Sequence, residues 1–478
     1  MSNSVHLLQQ LQKNAYNYPN QTYSNIFLFF LQKDLYYFAY KQVKVNLRLT
    51  GYKFSRTVYL NDHLINSVIS QLQNNSYSFE QYDLNIRDKK LPISQHRMID
   101  YVLQEMIYLI LKSIFSSKIK ANTNIYWPED NPHLAFQYIE HQFKQGQWII
   151  KGSLNKIFQQ EDYVNLLEYL ATTITDQKFL NLVRVVLRQN FLNIKAPCHP
   201  ITEVILIPGT RLLYILLDLY YANLDNLIHG IAQTIILGNS IRNSLQDTHT
   251  YQIIQRGKST SSTSRIGNNQ NLIVSYIRYG NVFICFLHYK ATYDHILWVK
   301  NQVELYLTKS IRLPYKDFSL KMINSATQKL NFLGYQMTFI NNTVVFNLST
   351  SDIIQILFRY RFLRYTSKGK IRPTSQNKLL ANSDSTIMHA YKYLWDYFTQ
   401  YYSGIRKMKR LYYVRYYLVY SCAMTLAHKH RSTVKKMLVR YKEEFKLHFN
   451  LNPSQAFVLN NRQTWHCSVH FSNPFMKY

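Results

Sequence analysis

The uneven placement of positive charge constrains this chain more than any other feature. Residues 361–478 hold 21 Lys and Arg against four Asp and Glu, a net +17, whereas residues 1–360 hold 35 against 22, a net +13. About a quarter of the chain therefore carries more than half of a total surplus of +30. Lys and Arg are almost never fully buried without partners, so a fold of this segment must display them on its surface. Their mutual repulsion is most simply offset by a polyanion: RNA, DNA or an anionic membrane surface. A small neutral substrate does not call for such a surplus.

The rest of the composition says that the chain folds. Of its 478 residues 47% are hydrophobic and 15% aromatic, enough for sizeable cores and for two or three domains. Tyr (41) and Phe (26) are abundant while Gly (12) and Pro (11) are scarce, a bias expected of AT-rich codons in an organellar or AT-rich microbial genome. Cys198, Cys285, Cys422 and Cys467 are far apart, with no Cys-x-x-Cys pair and no metal-ligand spacing, which fits a reducing compartment. The best apolar runs are interrupted by Arg211 and Asp218, or by Arg415, so no membrane span is expected. Met1 to Gln12 carry neither Lys nor Arg, unlike a signal or transit peptide. If the protein works in an organelle, it is expected to be made there.

Periodicity organises the chain. Apolar residues recur at helical spacing over Met98 to Ile119, Tyr163 to Leu170 and Phe179 to Leu187. Gln147 to Gly152 reads as a strand, and Asn271 to Leu287 reads as two strands broken by a tight turn at Gly280-Asn281. Gly257 to Gly267, rich in Ser and Thr, reads as a flexible insertion. The basic, turn-rich segment Ser367 to Thr374 reads as a linker. The expected division is a poorly patterned region 1–80, an α+β body 81–360, and an all-α domain 361–478.

The hairpin Ser275 to Phe286 resembles the palm hairpin of reverse transcriptases of the group II intron maturase type, in which a Tyr-Ala-Asp-Asp turn joins two apolar strands. Trp148 to Phe158 looks like the family's Gly-Asp-Ile strand-turn. Leu217 to Ile228 resembles the helix after the template-gripping loop, and Asn331-Phe332-Leu333-Gly334-Tyr335 resembles the primer-grip turn. Two-metal nucleotide addition needs carboxylates from two strands to hold Mg²⁺ ions about 3.5–4 Å apart. Ser153 stands at the first such position and Asn281-Val282 at the turn, so the resemblance implies a degenerate palm that does not polymerise. Glu161 and Asp162 lie too far along the chain to substitute without a register change.

From Arg372 through Tyr401-Tyr402-Ser403-Gly404-Ile405-Arg406-Lys407-Met408-Lys409-Arg410 to Ser421-Cys422-Ala423-Met424-Thr425-Leu426-Ala427-His428-Lys429-His430-Arg431, the chain closely resembles domain X, the maturase or thumb region of this family, and most nearly its plastid maturase K version. Without the resemblance the same segment still reads as helices. Tyr413, Val414, Tyr417, Leu418 and Ser421 to Leu426 form an apolar stripe expected to be core, in which small residues admit a neighbouring helix. The remaining cations form an expected RNA-binding ridge: Lys370, Arg372, Arg406, Lys407, Lys409, Arg410, Lys429, His430, Arg431, Lys435, Lys436 and Arg440. Few carboxylates accompany them at i,i+4 spacing, unlike an ordinary solvated helix face. Ser403, Ser421 and Thr425 suit packing or capping better than nucleophilic chemistry. His428 and His430 lack acidic or Cys neighbours at ligand spacing, and no P-loop, dinucleotide fingerprint, His-Glu-x-x-His or Gly-x-Ser-x-Gly is present. After Trp465-His466-Cys467 there is no second cysteine pair of the kind a homing endonuclease domain carries.

The expectation is an RNA-binding intron maturase that assists splicing of organellar group II introns, or reduced relatives, by stabilising the folded RNA. It would have no catalytic residue and no cofactor of its own, with Mg²⁺ arriving with the intron RNA. The alternatives are an active reverse transcriptase supporting intron mobility and a general organellar RNA-binding scaffold. The expected compartment is the plastid, with the mitochondrion as alternative; no membrane partner is expected, and a homodimer is left open.

Overall fold

The structure, a computed structural model, describes residues 3–49, 59–80, 94–120, 124–126, 131–143, 146–154, 160–188, 211–237, 274–288, 293–310, 313, 315–340, 343–405 and 410–449. In chain order the elements begin with α1 (Asn3–Asn17), α2 (Lys33–Leu49), α3 (Asp62–Gln73), α4 (Gln95–Lys120), β1 (Asn124–Tyr126), α5 (Pro132–Gln142) and β2 (Gly146–Leu154). They continue through α6 (Gln160–Ala171), α7 (Gln177–Arg188), α8 (Leu212–Leu237), β3 (Val274–Tyr279), β4 (Val282–His288), α9 (Tyr293–Leu305), β5 (Phe318–Asn324), β6 (Leu330–Phe332), β7 (Tyr335–Ile340) and β8 (Thr343–Leu348). The remainder is α10 (Thr350–Arg359), β9 (Leu363–Tyr365), β10 (Ile371–Pro373), α11 (Asp384–Tyr401), α12 (Leu411–Lys429), α13 (Val434–Arg440) and α14 (Lys442–Phe449). The chain is α+β, as the periodicity implies.

Two compact units result. The first comprises Met1–Pro128, Gly146–Pro197 and Ile205–Met322; the second comprises Glu129–Gln145, Cys198–Val204 and Ile323–Tyr478. The second unit thus starts upstream of residue 361 and takes in α5 from the middle of the chain, so a cut at 361 falls inside it.

In the first unit, a five-stranded sheet has the order β1-β3-β4-β2-β5. β3 and β4 pair antiparallel as the two apolar runs either side of Gly280-Asn281 predict, with Tyr279 opposite Val282. Gly280 has φ 58° at the first central position of the two-residue turn, where glycine avoids the Cβ clash of a left-handed conformation. β2 pairs antiparallel with β4, setting Gly152 opposite Phe283 and Ser153 opposite Val282. Ile150, Phe283, Cys285 and Leu287 pack with Tyr221, Leu224 and Ile228 of α8 and with Ile296, Val299 and Val303 of α9. A second, largely helical core gathers α1 to α4, α6, α7 and the start of α8 around fully buried Val102, Met106, Tyr108 and Phe115.

The second unit has a three-stranded antiparallel sheet, β6-β7-β8, and helices α10 to α14. The β6–β7 turn places Leu333 at φ 46° and Gly334 at φ 78°. A leucine in that region is strained, and the turn is held from α11: the Tyr401 hydroxyl donates to the Leu333 carbonyl at 2.6 Å and the Tyr402 hydroxyl donates to the Gly334 carbonyl at 3.2 Å. Phe136 of α5 packs on Tyr335 with ring centroids 4.3 Å apart, and the Tyr335 hydroxyl donates to the Tyr401 carbonyl.

Two expectations fail in this unit. Residues 361–478 are not all-α, because the supposed linker is the turn and second strand of a hairpin, β9–β10, with Tyr365 opposite Ile371 and Arg364 opposite Arg372. Its turn closes through Thr366 N–H to the Lys370 carbonyl at 2.8 Å, with Gly369 at φ 71°. The apolar stripe of α12 is also phased differently: Leu411, Val414, Leu418, Ser421, Cys422, Thr425 and Leu426 are buried, but Tyr413 is 64% exposed. The segment Gly257 to Gly267 lies outside the described residues.

Candidate functional site

At the turn end of the first unit's sheet, Ser153, Asn281 and Val282 come together. Ser153 faces Val282 across the β2–β4 ladder, and Leu154 N–H donates to the Asn281 carbonyl at 2.9 Å. Asn281 and Val282 are buried. None of the three brings a carboxylate. Among the described residues no group of three His, Cys, Asp or Glu side chains is placed to hold a metal ion.

Carboxylates do lie close to this turn, but they belong to an ion network absent from the sequence reading. Arg278 of β3 is fully buried. Its Nη1 lies 2.5 Å from Asp218 Oδ1, and its Nη2 lies 2.8 Å from Asp225 Oδ2. Nε donates to Asp225 Oδ1 at 3.0 Å, and Nη1 also donates to the Gly280 carbonyl at 2.9 Å. Asp218 and Asp225 sit seven residues apart on α8, two turns along one face. The Tyr276 hydroxyl donates to Asp225 at 2.5 Å. Burial by itself would lower the Arg278 pKa, but Asp225 and Asp218 raise it well above its ordinary value, so the guanidinium stays charged. Tyr276 is held protonated by burial and by the Asp225 charge. The available signal was one arginine in an otherwise apolar strand and two aspartates on an otherwise apolar helix face. Asp162 is turned to another use: it accepts from the Tyr220 hydroxyl at 2.8 Å.

The ridge cations of the second unit divide into three sets. Arg406, Lys407 and Lys409 lie outside the described residues. Lys370, Arg372, Arg431, Lys435, Lys436 and Arg440 are exposed and Arg410 half-buried, and among the described residues none has an acidic partner at ion-pair distance. Lys436 and Arg440 stand one turn apart on α13, whose first turn is capped by Thr433 accepting from Lys436 N–H. Lys429 and His430 form the third set and are engaged internally. Lys429 Nζ donates to Asp384 Oδ1 at 2.6 Å and to the Asn382 carbonyl at 2.8 Å, and His430 Nε2 lies 2.8 Å from Asp384 Oδ2. The Tyr441 hydroxyl donates to the same carboxylate at 2.5 Å. Burial alone would raise the Asp384 pKa, but hydrogen bonds from Lys429, Tyr441 and His430 hold it down at about 2. Thus His430 does have an acidic partner, 46 residues away, beyond any local spacing rule.

Packing around α12 carries the basic hairpin beside the basic turn. Ser421 Oγ donates to the Thr374 carbonyl at 2.6 Å, Thr425 Oγ1 accepts from Gln376 N–H at 2.9 Å, and Ser375 Oγ lies 3.3 Å from His428 Nδ1. Ser421 and Thr425 also meet the Tyr391 hydroxyl at 2.9 and 3.0 Å, so both are packing groups, as expected. The hairpin adds exposed Arg364 opposite Arg372, a like-charged cross-strand pair that residue spacing did not reveal. Between Lys435 and Lys442 the helix is interrupted, since α13 ends at Arg440 and α14 begins at Lys442. Among the described residues no helix is long and apolar enough to cross a membrane.

The second unit thus presents a basic, mainly helical surface. The family model for type II intron maturases matches residues 341–476, and the chain is a homologue of group II intron proteins and of Maturase K. The group II intron-encoded protein LtrA of Lactococcus lactis subsp. cremoris is 21% identical over 489 residues, covering 93% of this chain and 81% of that protein. Maturase K of Marchantia polymorpha is 28% identical over 225 residues, covering 43% of this chain and 57% of its own length. Among solved structures, telomerase from Candida albicans in complex with a fragment of telomeric RNA matches with TM-score 0.30 and 12% identity, covering 75% of this chain and 59% of that one.

Proposed function

We propose that the protein is an intron maturase that binds group II-type intron RNA and assists its splicing by stabilising the folded RNA, without nucleotide-adding chemistry of its own. Folded RNA crowds phosphates together, and cations fixed on a packed scaffold offset that repulsion without being ordered at the moment of binding. The carrying observation is the set of exposed cations without acidic partners, Lys370, Arg372, Arg431, Lys435, Lys436 and Arg440, within the region that matches the type II intron maturase family. The first unit is read as reverse-transcriptase-like fingers and palm, and the second as thumb and domain X. Ser153, Asn281 and Val282 at the palm-like turn support a loss of polymerase chemistry. The protein takes no cofactor, and Mg²⁺ enters with the RNA. The compartment is an organelle, the plastid on the Maturase K likeness, with the mitochondrion as alternative.

The test is charge reversal of Lys435, Lys436 and Arg440 to Glu in the full chain, with binding to candidate intron RNAs followed against salt. Three lost phosphate contacts reduce the slope of log K against log salt by about two to three, and splicing falls with affinity. Unchanged affinity overturns the reading. Primer extension on an RNA template by the purified protein would establish the reverse-transcriptase alternative, and crosslinking spread over many organellar transcripts would establish the general scaffold.

A further inference from the structure

The exposed aromatic residues of α12 are not explained by phosphate contacts. Tyr412 and Tyr416, one turn apart, are 45% and 51% exposed. With Tyr420 one turn further on, they line a groove of about 460 Å³ between α12 and α14. The Tyr416 and Tyr420 rings lie 4.5 Å apart between centroids and are tilted by 43°, which leaves them unable to stack fully on each other. Buried Phe445 contributes to the lining. The charged members are Arg415, Lys442 and Lys446. Arg415 Nε is buried with no hydrogen-bond partner, an unused donor that a buried site normally satisfies. Lys446 pairs with Glu443 at 2.9 Å on an exposed surface, a contact worth little in water and readily exchanged.

We propose that this groove takes an unpaired nucleotide of the bound RNA, its base stacked on Tyr416 and Tyr412 and its phosphate held by Arg415 and Lys442. This rests on the function proposed above and names a subsite for it. Aromatic faces beside cations are the chemistry that holds single-stranded nucleic acid, because each base offers a π-face and each linkage an anion. A duplex keeps its bases stacked inside and cannot use the aromatic wall. The groove also has a volume within the usual range for small-ligand sites. An apolar peptide helix would use the tyrosines and leave the Arg415 and Lys442 charges unanswered, so the charge complementarity favours the nucleotide.

The experiment uses the full chain with three probes: the intron RNA, an oligouridylate, and an RNA duplex of the same length. The variant Tyr412→Ala with Tyr416→Ala, made at exposed positions, is expected to lose about tenfold in affinity for oligouridylate and to keep its duplex affinity within about twofold. Tyr416→Phe alone is expected to bind oligouridylate like the wild type, since the stacking face remains. Ultraviolet crosslinking of a uridine is expected at Tyr412 or Tyr416. Wild-type affinity for oligouridylate in the double variant, equal loss for oligouridylate and duplex, or absence of oligouridylate binding by the wild type overturns the proposal. If the ridge reversal abolishes intron binding while the tyrosine variant binds like wild type, only the subsite fails. If the ridge reversal has no effect, the proposed function fails.

Discussion

The β3–β4 turn and the surface around α12 and α13 use the same kinds of charge in opposite ways. At the turn, one arginine is shared by two aspartates out of contact with water, and the guanidinium also binds the Gly280 carbonyl. Around α13, Lys435, Lys436 and Arg440 face solvent with no acidic partner among the described residues. A buried pair contributes geometry, because removing one member strands the other in a medium that cannot solvate it. An exposed unpaired cation contributes little to the fold and remains available to a ligand. Location, more than residue type, decides which role a charge takes.

The contrast can be broken most directly at Arg278. Arg278→Met leaves Asp218 and Asp225 buried without their cation and is expected to cost about 3–5 kcal/mol, read by urea denaturation. The ridge triple reversal should move the same midpoint by at most about 0.5 kcal/mol while reducing RNA binding. A stable Arg278→Met protein, or a ridge variant that unfolds, would collapse the distinction. A smaller effect is expected at Gly152, where an added Cβ would come within 2.1 Å of the Phe283 ring. Gly152→Ala should cost about 1–3 kcal/mol by forcing that ring aside, and Phe283→Leu in the same chain should recover part of it.

The smallest effects separate the two units by pH. Burial raises the Asp100 carboxyl of α4 to about 6, despite hydrogen bonds from the Tyr77 hydroxyl at 2.7 Å and Glu80 N–H at 3.0 Å. The folded state then binds the proton more tightly than the unfolded state, so stability rises as pH falls from about 6 toward 4. Asp384, held at about 2, does the reverse: its contribution is complete above pH 4 and is lost as pH falls toward 2. After solvent screening of this partly exposed group, its contribution is on the order of 1 kcal/mol. Urea midpoints across pH 2–7 should show both limbs, with Asp100→Asn removing the first and Asp384→Asn the second.

What could be read from the sequence depended on the range of the interaction. The helices containing Met98 to Ile119 and Phe179 to Leu187, and the hairpin at Gly280, follow from local periodicity and one turn residue. Ser153 and Asn281-Val282 could be placed together because strand order and register follow from the resemblance. Strands of three residues, as in β9 and β10, are too short to show alternation, so only their turn was visible. Tyr413 was misplaced because α12 is apolar almost all round, which blurs the phase of its buried face. The partners of Arg278 and Asp384 lie 45 to 60 residues away, where no spacing rule reaches.

The Arg278 network also limits what its neighbours can become. Asn281 and Val282 are buried beside a site where two carboxylates already share one guanidinium. An aspartate introduced at either position would add unsolvated negative charge to a site whose one guanidinium is already shared. Asn281→Asp or Val282→Asp is therefore expected to give a less stable protein. The arginine that ties this turn to α8 thus also fixes which side chains the turn admits: neutral ones fit, and a new carboxylate would compete for a guanidinium already shared.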